Sequence, residues 1–275
     1  MKRRSRKRLF LLFLFFLALL IPFFYLQNNW LTVTKLEVES ERIPPAFNGY
    51  RIAQLSDLHS KLFGERQHAL AEKVKQEKPD VIVYTGDLID LQRGGEAAGY
   101  VLMKEMVKIA PVFFVTGNHE GPDFTETEKQ LQAMGVQVLR NERTVLRRGG
   151  ETVQLLGIDD PLLTPTSEAI EQAGEKTKSG QYKILLSHRP ELFASYAEAK
   201  MDVIFTGHAH GGQVRLPFIG GLFAPGQGLF PAYTAGAHTL GSSTMVVNRG
   251  LGNSTAPQRL FNRPEIVVLT LKSSK

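Results

Sequence analysis

The chain contains no cysteine. That excludes a disulfide framework and any thiolate-bound metal, so a metal site here would have to be built from nitrogen and oxygen ligands. A basic surface is also missing. The formal charge is +6, but Lys2, Arg3, Arg4, Arg6, Lys7 and Arg8 supply six positive charges. The remaining 27 basic residues balance 27 acidic ones, so no nucleic-acid partner is expected. There is no low-complexity linker, and 275 residues with 43% hydrophobic content can bury a large core as one domain or two small ones.

What the N-terminus does have is apolar. Leu9 to Leu26 carries six phenylalanines, one proline (Pro22) and no charge. It reaches the roughly 17 to 25 residues that a bilayer-spanning helix needs. The basic cluster before it predicts that the N-terminus stays in the cytoplasm and the rest lies outside, a single-pass arrangement at a cell membrane. The run ends Phe-Phe-Tyr-Leu-Gln-Asn-Asn without a small-x-small cleavage pattern, which favours an uncleaved anchor over a signal peptide. Arg3 and Arg4 raise the twin-arginine export route, although the residues around them fit that signal poorly. The division expected is a basic cytoplasmic segment (1–8), a transmembrane anchor (9–26), a linker with an edge strand (27–47) and a main domain (48–275).

In the main domain one design recurs: a short apolar run, then glycine or serine, then polar residues able to hold a metal, then helical spacing. Tyr50 to Leu55 leads to Ser56-Asp57-Leu58-His59, and Val81 to Tyr84 leads to Thr85-Gly86-Asp87. Val112 to Val115 leads to Thr116-Gly117-Asn118-His119-Glu120, and Lys183 to Leu186 leads to Ser187-His188. Val203 to Phe205 leads to Thr206-Gly207-His208-Ala209-His210-Gly211-Gly212. Helices are expected over 64–76, 96–108, 125–134, 167–173 and 191–199. Gly149-Gly150 between two apolar stretches predicts a β-hairpin over 144–156, and further strands are expected near 31–38, 244–248 and 266–271. Alternating strands and helices predict an α/β fold with polar groups gathered beyond the carboxyl ends of the strands. The hairpin and C-terminal strands predict a second sheet packed on the first: a sandwich of two mixed sheets with helices outside.

Five of the seven histidines fall at these strand ends, together with Asp57, Asp87 and Asn118. Mixed carboxylate and imidazole sets suit manganese, iron and zinc, whereas magnesium and calcium favour oxygen. The set is too large for one ion. Two adjacent ions bridged by a carboxylate would use nearly all of it, with Asp87 a candidate for the bridge. Taken singly, an aspartate here could be a helix cap and Asn118 a turn residue, and it is their joint placement that argues for a metal centre.

Asp57-x-His59, Gly86-Asp87, Gly117-Asn118-His119-Glu120, His188 and Gly207-His208-x-His210 together resemble the five ordered blocks of the calcineurin-like metallophosphoesterases. The likeness runs from about Tyr50 to Leu271, and Asn248-Arg249-Gly250-Leu251-Gly252 adds a likeness to the membrane-anchored bacterial phosphodiesterase branch. The resemblance implies two divalent ions. Asp57, His59, Asp87 and His210 would hold the first and Asp87, Asn118, His188 and His208 the second. It leaves His119 unliganded beside the substrate, assisting a metal-activated hydroxide in the hydrolysis of a phosphoric ester, more readily a phosphodiester. A phosphomonoesterase, a single-metal hydrolase and a non-catalytic metal-binding module on the same fold are the alternatives. Glu120 stands where the family often has aspartate.

Outside the pattern, His68 reads as a solvated helix position, His238 as a hairpin turn and Asp90 as a cap or orienting group. Arg189 and Arg249 are candidate phosphate contacts or unpaired surface arginines. The stretch from Leu216 to Pro231 places Phe218, Leu222, Phe223, Leu229 and Phe230 among glycines and prolines. It reads as an irregular loop packed on the second sheet, or as an apolar lip admitting a phospholipid or other membrane-linked phosphodiester. A bulky residue at Gly207 is expected to disturb both ions.

Overall fold

The computed structural model describes residues 2–275 apart from 91–94, 176, 178, 179 and 255, with side chains from residue 7 onward. The side chains of the basic cluster up to Arg6 therefore lie outside the described residues. The first element is α1 (Lys2–Asn29), whose Lys7–Asn29 portion is long and apolar enough to cross a membrane and is largely exposed until its last turns, where Gln27 is buried.

The chain continues through β1 (Thr32–Ser40), β2 (Arg51–Leu55), α2 (His68–Gln76), β3 (Val81–Thr85), α3 (Ala97–Met106), β4 (Val112–Val115) and α4 (Thr125–Ala133). Next come β5 (Gln137–Val138), β6 (Glu142–Arg148), β7 (Glu151–Gly157), α5 (Thr166–Gly174), β8 (Lys183–Leu186), α6 (Phe193–Glu198) and β9 (Val203–Thr206). Four two-residue strands follow: β10 (Arg215–Leu216), β11 (Gly220–Gly221), β12 (Phe223–Ala224) and β13 (Gly228–Leu229). The chain closes with β14 (Gly236–Leu240), β15 (Ser243–Val247) and β16 (Glu265–Ser273).

Two six-stranded mixed sheets result, in the orders β1-β16-β2-β3-β4-β5 and β14-β15-β9-β8-β7-β6. The pairs β16/β2, β14/β15 and β6/β7 are antiparallel, and all other neighbours in the two sheets are parallel. Strands such as β3 are apolar throughout because both faces are covered. Val81 and Val83 of β3 pack between the sheets with Val115, Ile184 and Phe205, whereas Ile82 and Tyr84 pack outward with Leu70, Leu102 and Leu131 beneath α2, α3 and α4. On the far side Leu185, Ile204 and Met245 pack against Ala169, Phe193 and Tyr196 of α5 and α6. The layers are thus helices, sheet, sheet, helices, the expected sandwich. The hairpin turn is Gly149-Gly150, with φ +55° and +81°, joining β6 to β7.

Some local expectations shift. The helix expected from Gly64 starts only at His68, because Arg66 and Gln67 take left-handed φ of +52° and +62°. The buried Gln67 amide accepts from Phe63 N (2.9 Å) and donates to Lys61 O (2.7 Å), supplying partners that a helical turn would otherwise provide. The 191–199 helix divides into a 3₁₀ turn (Pro190–Leu192) and α6. His68 is solvent-exposed as expected, but His238 lies on β14 and not in the turn that follows it. The 216–231 stretch is less irregular than expected, since β10 pairs with β11 and β12 with β13.

Candidate metal centre

Parallel strands deliver their carboxyl ends to one edge, and here both sheets do so side by side. Gln54 Nε2 of β2 donates to Thr206 O of β9 (2.9 Å), and His208 N donates to the Asp57 carboxylate (3.1 and 3.2 Å), joining the two sheets at their tips. Asp57, His59, Asp87, His188, His208 and His210 are buried there, while Asn118 and His119 are half-buried.

Five of these residues hold left-handed backbone: Asp57 (φ +53°), His59 (+45°), Asp87 (+57°), His208 (+62°) and His210 (+46°). Each such conformation costs on the order of 1–2 kcal/mol for a residue with a Cβ. Neighbouring tips hold them there. Asp57 N donates to Gly86 O (3.0 Å), His59 N to Asp87 O (3.1 Å) and His119 N to Asp87 Oδ1 (2.9 Å). Glu120 is the clip between β3 and β4: its carboxylate accepts from Asp87 N (2.8 Å), Leu88 N (2.9 Å) and Gly117 N (2.5 Å). That is the role of the glutamate standing in place of aspartate.

Among the described residues the strand-tip side chains form two groups that share Asp87, and His59, Asp90 and His119 form a third. Asp57, His59, Asp87 and His210 each bring a ligand-type atom within 4.8 Å of the others, and Asp87, His188 and His208 do the same. In the first, His59 Nε2 lies 3.1 Å from His210 Nε2 and 3.5 Å from Asp87 Oδ2, and His210 Nε2 lies 3.3 Å from Asp57 Oδ1. In the second, His188 Nε2 lies 3.3 Å from Asp87 Oδ2, 3.1 Å from His208 Nδ1 and 3.2 Å from Asn118 Oδ1. Asn118 therefore joins the second group.

These contacts test whether the residues fit a metal. Ligand atoms about 2.0–2.2 Å from one ion at adjacent tetrahedral or octahedral positions lie roughly 2.8–3.6 Å apart, which is the spacing of the nearest pairs here, the others lying within 4.8 Å. The donor chemistry agrees. His188 Nδ1 faces Thr85 O at 2.7 Å and must donate to it, which turns the Nε2 lone pair of the neutral ring toward oxygens of Asp87 and Asn118 that can only accept. With His188 neutral, as ligation requires, its lone pair and these oxygens converge as acceptors, and such a set fits a cation.

Without a cation, the electrostatics divide the cluster. Burial lifts Asp57 to about 7 against the pull of His188. Burial alone would lower His188, but Asp87, hydrogen-bonded to it, and Asp57 raise it to about 10. Asp87, despite burial, is held well below the usual carboxylate range by His188, His59 and His119. Burial lowers His59 to about 4, and burial with a neighbouring imidazole pushes His208 and His210 well below the usual range. His208 and His210 thus favour the neutral form that metal ligation requires.

Further residues surround this centre, Asp90 among them, which was expected as a cap or an orienting group. Asp90 is buried between two imidazoles, 3.8 Å from His59 Nδ1 and 3.9 Å from His119 Nδ1, and the His119 ring meets the His59 ring edge to face at 4.6 Å. Its sequence signal was the Asp87-x-x-Asp90 spacing alone. Neither arginine singled out stands free: Arg189 forks onto Asp160 (2.7 and 2.9 Å), and Arg249 pairs with Glu265 at 2.9 Å. The Asn248-to-Gly252 motif is a strap behind Asp57, with Leu251 N on Ser56 O (3.0 Å) and Gly252 N on Asp57 O (2.6 Å). Arg259, fully buried, donates to Gly252 O (3.0 Å) and Arg249 O (2.9 Å) and reaches 3.5 Å from His210 Nδ1. No local pattern in the sequence marks Arg259.

Two mixed sheets with carboxylates and imidazoles gathered at their shared strand tips form the architecture of metallophosphoesterases. The chain belongs to the calcineurin-like phosphoesterase family, whose model matches residues 50–212. It is 32% identical over 257 residues to the metallophosphoesterase YkuE of Bacillus subtilis, covering 91% of this chain and 88% of that one. It is 31% identical over 236 residues to the phosphodiesterase YaeI of Escherichia coli, covering 81% and 82%. The NAD nucleotidase NadN of Haemophilus influenzae shares the fold, with TM-score 0.52 and 18% identity over 74% of this chain and 45% of that one.

Proposed function

We propose that the protein is a binuclear metal-dependent phosphodiesterase held at the bacterial cell membrane by α1. The observation that carries this reading is Asp87, whose carboxylate belongs to both ligand groups. Asp57, His59, Asp87 and His210 would hold one ion, and Asp87, Asn118, His188 and His208 the other. Manganese, iron or zinc suits these donors. When bound, two such ions would supply Lewis acidity toward phosphoryl oxygens and an acidified water.

The chain's own groups account for the rest. Thr85 O fixes the His188 tautomer, Asp57 receives His208 N, and Glu120 keeps the Asp87 and Asn118 tips together. The His119 side chain is 22% exposed, against 6% or less for the other imidazoles of the centre. With its Nδ1 3.9 Å from Asp90 and its ring the most exposed of the set, His119 can stabilise charge on the phosphoryl group or protonate the departing alkoxide. A phosphodiester is preferred over a monoester because YaeI, similar along four fifths of the chain, is named a phosphodiesterase.

Residues 1–8 would lie in the cytoplasm, 9–26 in the bilayer, 27–47 would link, and 48–275 would act outside. This places phospholipid and other membrane-linked phosphodiesters within reach. The test is full-length protein reloaded with manganese and assayed on bis(p-nitrophenyl) phosphate and p-nitrophenyl phosphate. Two metals per chain with faster diester hydrolysis are expected. One metal per chain would exclude the binuclear centre. Two metals with no hydrolysis would favour the non-catalytic module, and faster monoester hydrolysis a phosphomonoesterase.

A further inference from the structure

We propose that the β10–β13 segment and Phe261 form a bilayer-contacting surface that seats the metal centre against the leaflet from which α1 emerges. This rests on the reading of α1 as a membrane anchor. Phe218, Ile219, Phe223, Leu229, Phe230 and Phe261 are all exposed, Phe218 completely so. Pairing of β10 with β11 and β12 with β13, and the Phe230 N to Leu222 O bond, keep the lip residues on neighbouring segments, and exposed apolar groups gathered in this way mark an interaction site.

Continuity with α1 identifies the occupant. Tyr25 and Trp30, both exposed at the end of the apolar helix, are the residues that settle at a membrane–water interface, and Arg263 lies 4.9 Å over the Trp30 ring. The Phe261 ring packs edge-on against Phe23 at 6.0 Å, on the hydrocarbon side of those two aromatics. The main domain is fixed at that depth by polar contacts with the helix end. Gln258 Nε2 donates to Phe24 O (3.1 Å), Arg259 N to Asn28 Oδ1 (2.8 Å) and Asn28 Nδ2 to Pro257 O (2.9 Å).

From Phe261 the surface runs on into the lip. Val214 bridges to Leu260 and Arg215 N donates to Leu260 O (2.9 Å), so β10 starts beside Phe261. Behind the lip is the metal centre: Leu222 N donates to Gly212 O (3.2 Å), two residues past His210, and Gly226 packs on Glu191, whose carboxylate is 4.0 Å from His208 Nε2. A lip in contact with the leaflet therefore brings these ligands close to the level of the lipid phosphates.

Because the chain has no cysteine, a single introduced one carries a nitroxide at a chosen site. Full-length Phe15→Cys, Phe218→Cys, Phe230→Cys and Glu171→Cys proteins would be spin-labelled in phosphatidylcholine–phosphatidylglycerol vesicles. Relaxation by oxygen, which concentrates in hydrocarbon, would be compared with relaxation by an aqueous nickel chelate. The labels at 218 and 230 are expected to respond to oxygen severalfold more than to nickel, as at 15, with the ratio reversed at 171. Nickel accessibility at 218 and 230 equal to that at 171, with 15 still shielded, overturns the lip and leaves the anchor standing. Shielding from both relaxants means a protein partner and also overturns it. Nickel accessibility at 15 removes the anchor and the lip together.

Discussion

Replacing Gly86 by alanine probes how far the metal centre depends on backbone packing. Gly86 has φ +87°, and a Cβ there would lie 2.6 Å from Gly117 N, 2.7 Å from Gly117 Cα and 2.7 Å from His188 Nδ1. The left-handed φ costs on the order of 1–2 kcal/mol. Overpacking adds about 1–3 kcal/mol, because two of the atoms met are backbone and the third is held by its bond to Thr85 O. The sum, about 2–5 kcal/mol, corresponds to a fall in Tm of roughly 4–20 °C at this chain length. Gly135, with φ +94° and open space where a Cβ would point, isolates the backbone cost, so Gly135→Ala is expected to lose no more than roughly 2–8 °C. The decisive assay is metal content. Gly86→Ala is expected to displace His188 and to lose first the ion proposed at Asp87, Asn118, His188 and His208. Two metals per chain and a Tm equal to that of Gly135→Ala would refute the reasoning.

Asp87→Asn keeps the shape of the shared residue but removes its ligating charge, and both metals and activity are expected to fall together in elemental analysis and turnover; loss of one metal alone would contradict the shared carboxylate. His119→Ala is expected to retain both metals while losing about 10²–10⁴-fold in kcat; full activity would remove its role. Arg259→Met frees the Gly252 and Arg249 carbonyls and the far side of His210, and is expected to weaken the Asp57–His59–His210 ion by about 10–100-fold in a chelator competition while sparing the other. Asp57, raised to about 7, and His188, raised to about 10, must both be deprotonated to bind metal, so apparent affinity is expected to tighten from pH 6 to 9 by up to about tenfold per unit for each proton released. An affinity flat across that range would refute those protonation states. At Gly207 a Cβ would collide with Ser56 Oγ and Asp57 Oδ2, so Gly207→Val is expected to lose metal from both groups.

The architecture was legible because its signals are local. Runs such as Val81-Ile82-Val83-Tyr84 are apolar throughout only if both faces are covered, which already implies layers on either side. Gly149-Gly150 marked its hairpin for the same reason: turn geometry depends on the residues that make it. Helix starts were less legible. At Arg66 and Gln67 the outcome turned on a buried amide that bonds Phe63 N and Lys61 O, and no periodicity encodes that.

The sequence alone determined the kinds of candidate ligand and their order: with no cysteine and five strand-tip motifs, any metal would have to be held by nitrogen and oxygen. It also set a long apolar helix at the N-terminus, since hydropathy and length are properties of a segment by itself. Only the tertiary structure decided which atoms share a site. It divided the ligands into two groups meeting at Asp87, made Glu120 the clip between two tips, put Asp90 beside His119 and sent Arg259 from the end of α1 to His210. These are contacts between residues far apart in the chain, created when the two sheets close on one another, and spacing along the sequence does not carry that information.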